Sequence, residues 1–168
     1  MNLSFLFFFV IFFFLKNYLL ANSLAYIDFN HIINNTDIGI SISNKLEKLN
    51  NNNISLLNKE QELLNNERDE IKKIQNIISK EELSFKIDEF NKKLDAFNKK
   101  QNQMSTDFKN LRQLEISNLL KKINPIIERY MVDKKIDLII KKENIYISKT
   151  EYDITKDVVN LINETIKD

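Results

Sequence analysis

The chain has 168 residues, with 25 Lys and Arg against 24 Asp and Glu, one Gly, one Pro and no Cys. So little Gly and Pro excludes loop-rich enzymes and glycine-built phosphate cradles, the near-neutral charge leaves no nucleic-acid footprint, and the length allows one ordinary domain. Asn, Lys, Ile and Phe are over-used throughout, so a single Asn carries little meaning.

Leu3 to Leu15 is apolar except for Ser4, too short to span a bilayer comfortably, and Ala21 and Ser23 have the small-residue spacing of a signal-peptidase site. Residues 1–23 therefore read as a signal peptide cleaved after Ser23, although no Lys or Arg precedes the run. The alternative is an uncleaved anchor extending across Lys16 to Leu20. Cleavage removes one Lys and no acid, leaving 24 basic and 24 acidic side chains.

Residues 24–40 open a small body. Leu24 to Phe29 reads as a short strand, Asn30 as the cap of a brief helix through His31, Ile32 and Ile33, and Thr36 as the cap of a second helix start. Residues 41–111 then form a helical hairpin arm. On its first limb Leu57, Leu64, Ile71 and Ile78 repeat at seven, flanked by Leu46, Leu49, Leu56, Leu63 and Ile74. Asn53, Glu60 and Glu67 occupy the second line of that stripe and loosen it. Asn50 to Asn53 are poor helix formers, so the run is either a flexible point or a product of composition.

Ser79-Lys80-Glu81-Glu82 reads as a capping box, Ser79 accepting from the Glu82 amide and Glu82 reaching back. It places the tip of an antiparallel hairpin near 77–82; the alternative is one continuous helix with Ser79 exposed. The return limb carries the strongest pattern in the chain. Leu83, Ile87, Phe90, Leu94, Phe97, Gln101, Met104, Phe108 and Leu111 alternate four and three residues, a seam built to lie against another helix. Ile77 and Phe85 point away from that seam. With Lys86, Lys92, Lys93, Lys99 and Lys100 they are the candidate contact residues for a partner, although a solvated face also explains the lysines.

Residues 112–168 return to the body. Ile116, Leu119, Leu120, Ile123, Ile127 and Tyr130 form a new stripe that Pro125 either kinks or breaks at Asn124. Strands at about 136–140 and 144–148 read as a hairpin, followed by a helix at about 155–167. The first strand should pair with the last two. The fold class is therefore α+β, predominantly α, a coiled-coil hairpin projecting from a β-containing body. So small a sheet is hardly stable alone, which points to oligomerisation through the body.

The order of Leu24-Ala25-Tyr26-Ile27-Asp28-Phe29, the charged hairpin, Ile136-Asp137-Leu138-Ile139-Ile140, Asn144-Ile145-Tyr146-Ile147 and Asp153-Ile154-Thr155 with its closing helix resembles the Skp/OmpH family of periplasmic chaperones. The resemblance covers essentially the whole chain after residue 23. It implies a homotrimer whose helical tentacles hold unfolded outer-membrane β-barrel proteins in the periplasm without ATP or cofactor. Lipopolysaccharide or a membrane surface is a further implied partner, although the well-known members are markedly basic and this chain is neutral. The second functional reading is a structural coiled-coil spacer or adaptor anchored in the inner membrane. Nothing suggests an enzyme: His31 stands without Cys or a carboxylate at ligand spacing, and Glu81 with Glu82 and Asp69 with Glu70 are adjacent helical residues facing different ways.

Overall fold

Ala25 and Ile27 turn inward while Leu24 stays exposed, the alternation that makes Leu24–Ile27 a strand, β1. The computed structural model describes residues 23–167; all of the expected signal peptide but Ser23 lies outside them. After β1, which ends at Ile27 and not at Phe29, the helix α1, Phe29–Asn35, starts two residues earlier than expected, because Asp28 caps it and not Asn30. The Asp28 carboxylate accepts the His31 amide at 3.0 Å and the Lys142 ammonium at 3.0 Å, while the Asp28 amide donates to Thr155 Oγ1 at 2.9 Å. The His31 amide first, and the Lys142 hydrogen bond second, hold this carboxyl below its ordinary 3.8.

Thr36 closes α1 and caps α2, Asp37–Ile74, as its sequence position suggests. Fully buried, its hydroxyl donates to Ile32 O at 2.9 Å and accepts from the Gly39 amide at 3.3 Å. The only glycine sits where these two helices touch. A Cβ on Gly39 would stand 2.1 Å from the Ile33 carbonyl oxygen, so any side chain pushes α1 off α2.

The helix α2 runs through Asn50 to Asn53 without a break, and a turn over 75–78 leads to α3, Lys80–Lys134. Ser79 Oγ accepts from the Glu82 amide at 3.1 Å, the forward half of the expected box; no return bond from Glu82 is formed. Pro125 neither ends α3 nor breaks it at Asn124. It lies on the exposed side, where water can reach the carbonyl that loses its amide donor. The helix stops at Lys135, which adopts the left-handed conformation (φ 56°, ψ 42°) usual for Gly, with Lys135 and Ile136 amides bonding back to Val132 and Met131.

Strand β2, Leu138–Lys141, pairs with β1 in parallel, Leu24 opposite Leu138 and Ile27 opposite Lys141. On its other side β1 takes a single bridge from Tyr26 to Asp153, with the Ile154 amide donating to Tyr26 O at 3.1 Å. The expected strand at 144–148 does not form. Residues 142–144 make a 3-10 turn, 145–149 are irregular, and a second 3-10 turn, Thr150–Tyr152, leads into α4, Thr155–Thr165. The ion pair from Lys142 to Asp28 draws the chain back toward β1 and so away from the outer edge of β2. Tyr146 and Ile147 are left almost wholly in solvent.

The core lies entirely at this end. Ile32, Leu119, Ile123, Val158 and Ile162 are essentially without exposure, and Ile126, Ile127, Tyr130, Ile154 and Val159 close around them. Tyr130 also donates its hydroxyl to Asp157 Oδ2 at 2.8 Å. Burial, reinforced by that carboxylate, pushes the phenol up to about 12.

Candidate functional surface of the helical arm

Three ion pairs fix how the limbs of the arm lie. Lys45 meets Glu115, Lys100 meets Glu60 at 2.6 Å and Lys93 meets Glu67 at 2.7 Å, so position i on α2 stands level with position 160 − i on α3. The limbs are therefore antiparallel. At that register Leu49 comes level with Leu111, Leu57 with Gln103 beside Met104, and Leu64 with Ala96 beside Phe97. Leu64 and Phe97 are the two buried hydrophobic side chains of the arm.

The rest of the seam is shared with water. Leu83, Phe90, Leu94, Met104, Phe108 and Leu111 are partly buried, whereas Ile87 and Gln101 are exposed. Two helices alone cannot cover both sides of one seam. Glu60 and Glu67, whose charges interrupt the upstream stripe, are the acceptors for Lys100 and Lys93. Sequence reasoning missed this, although the matching seven-residue spacing of the two acids and the two lysines was a readable signal.

The other expected contact residues separate into kinds. Ile77, in the turn, is 80% exposed and Phe85, on the first turns of α3, is 64% exposed, so both apolar side chains stand free at the tip. Lys92 pairs with Glu89 along its own helix, Lys86 is partly buried, and Lys99 is exposed. The five lysines therefore do not form one free cationic patch.

A second apolar line emerges that the sequence pattern had placed only beside the stripe. Leu56 and Leu63, each immediately before a seam leucine, are 53% and 69% exposed. On the same flank α3 contributes Lys86, Lys93 and Lys100, each immediately before a seam position. The opposite flank carries Ile54, Gln61 and Arg68 from α2 against Ser84, Asn91, Asn98 and Ser105 from α3. One side of the hairpin is therefore apolar and bordered by lysines, the other largely polar.

The body offers clefts of a different character. An apolar one of about 500 Å³ is lined by Leu24, Tyr26, Ile140, Ile145, Ile147 and Tyr152 beside the unpaired segment. A polar one of about 330 Å³ mixes Asp28 and Asp153 with His31, Lys142 and Lys156. No group of side chains suited to a metal ion occurs among the described residues, and no helix among them is long and apolar enough to cross a membrane.

This architecture has known counterparts. A crystal structure of an OmpH-like outer membrane chaperone candidate from Caulobacter crescentus CB15 superposes with a TM-score of 0.74 over 86% of this chain and 85% of that one, at 17% identity. That likeness shows a shared fold. No curated protein matches the chain. The family model for outer membrane protein (OmpH-like) matches residues 23–162, which takes in the body and the whole arm. The chain thus belongs to the OmpH-like family.

Proposed function

We propose that the protein is an ATP-independent holdase chaperone that binds unfolded outer-membrane β-barrel proteins in the periplasm and keeps them from aggregating. The observation that carries this reading is the arm itself, an OmpH-type hairpin with apolar side chains standing in solvent at Ile77, Phe85, Leu56 and Leu63. A holdase needs many weak contacts that release without work, and scattered half-exposed side chains supply them. Lipopolysaccharide or a membrane surface is the lesser partner, since Lys93 and Lys100 already hold carboxylates.

The body supports self-association into a homotrimer. Its apolar cleft, the open outer edge of β2 and the exposed Tyr146 and Ile147 lie together, as an interface of copies of the chain requires. Residues 24–40 and 112–168 then form the oligomerising body and 41–111 the arm.

The test is light scattering of a urea-denatured outer-membrane β-barrel protein diluted into buffer without nucleotide. Purified protein in molar excess should suppress the scattering, and no suppression would overturn the reading. Amino-terminal sequencing of the exported protein should begin near Leu24. A chain that retains Met1 would favour the anchored spacer instead.

A further inference from the structure

The two flanks of the hairpin differ although they belong to the same pair of helices. On one, Leu56 and Leu63 follow each other at seven residues, about 10 Å along the helix, and both are more than half exposed. Beside them lie Lys93 and Lys100, whose ammonium groups reach across to Glu67 and Glu60. The other flank presents mostly amides and hydroxyls, with Arg68 and the half-exposed Ile54 among them and, beside Ile54, a groove of about 380 Å³ that reaches Leu57, Met104 and Phe108 of the seam.

We propose that the Leu56–Leu63 flank is the working side of the arm, the surface that takes apolar stretches of an unfolded polypeptide, and that the Gln61–Asn98 flank is idle. This deepens the holdase reading and rests on it. Three occupants compete for such a surface, and the structure favours one.

An anionic membrane requires free cations beside the apolar line. Here two of the three bordering lysines are compensated by carboxylates at 2.6 and 2.7 Å. A hairpin of a second copy requires two apolar positions in every seven to form a helical seam, and this flank supplies one. The line is then interrupted at Glu70. Its area, roughly a few hundred Å², falls short of the roughly 800 Å² per partner of a stable interface. An extended, largely neutral polypeptide needs no period and no large area. It gains from each exposed leucine separately, and the ion pairs alongside keep the surface soluble while it is empty.

The experiment compares the full chain with two variants in the scattering assay, each checked for unchanged helix content. Leu56→Gln combined with Leu63→Gln should raise the concentration needed for half suppression by at least about fivefold, the equivalent of about 1 kcal/mol. Ile54→Gln on the other flank should leave it unchanged. Equal effects of the two variants, or none from the double variant while the unmodified chain suppresses, would overturn the flank assignment and leave the holdase reading standing. Failure of the unmodified chain would remove both. Loss of binding to phosphatidylglycerol vesicles, or a changed sedimentation coefficient in the double variant, with suppression intact, would instead assign the flank to a membrane or to a second copy.

Discussion

The body and the arm share the helix α3 but are held together by different means. In the body, five side chains from α1, α3 and α4 are almost completely removed from water, and Gly39 lets two backbones meet. Along the arm no apolar side chain is so completely covered, Leu64 and Phe97 alone are buried at 6% and 5% exposure, and ion pairs bind the limbs. One region is specified by packing, the other by period and charge. The difference suits the proposed holdase, in which the body would stay fixed while the arm meets partners of no fixed shape.

The contrast can be tested first where it should be widest. Ile123→Ala in the body should cost about 2–5 kcal/mol, because a cavity opens in a site with no exposure, whereas Leu94→Ala in the half-wet seam should cost about 1 kcal/mol. Urea denaturation measures both, and equal costs would abolish the distinction. A smaller effect should appear in alkali. The folded phenol of Tyr130 titrates near 12 against 10 for the free side chain, so its contribution is complete below pH 10 and is lost as pH rises through about 12. That loss, on the order of 2 kcal/mol, should disappear from the pH profile of Tyr130→Phe.

Salt should produce the smallest change and confine it to the arm. Raising NaCl from roughly 0.1 M to roughly 1 M shortens the screening length from about 10 Å to about 3 Å. Pairs such as Lys93 with Glu67 contribute about 0.2–1 kcal/mol each. Amide exchange should therefore quicken a few-fold around Glu60 to Glu67 and Lys93 to Lys100. Protection at Ile123 and Val158 should stay as it was. Faster exchange in the body would mean that the ladder stabilises more than the hairpin.

What was legible in the sequence was local or periodic. The hairpin could be placed from the four-three alternation after Leu83 and the serine at 79, and the Thr36 cap from its hydroxyl position, because each depends on neighbours a few residues away. The pairings that span the chain were not. Asp28 displaces Asn30 as cap because Lys142 and Thr155, more than a hundred residues later, fix the same residue. Ile145 to Ile147 has strand composition but no partner strand among the described residues, and strand preference means little without one. The two-sided character of the arm is half legible: the spacing sets Phe85 and Ile77 off the seam, whereas Leu56 and Leu63 read only as flanking residues, and their register follows from ion pairs between the limbs.

The passage of α3 through Pro125 without a break makes it a lever. From Leu119, seated in the core, to Lys80 at the tip is about 58 Å at 1.5 Å per residue. A tilt of about 5° at the seat displaces the tip by about 5 Å at that reach. In the proposed holdase, the reach of the arm would therefore be set from its far end, by a change of a few tenths of an ångström around Leu119, Ile123 and Gly39.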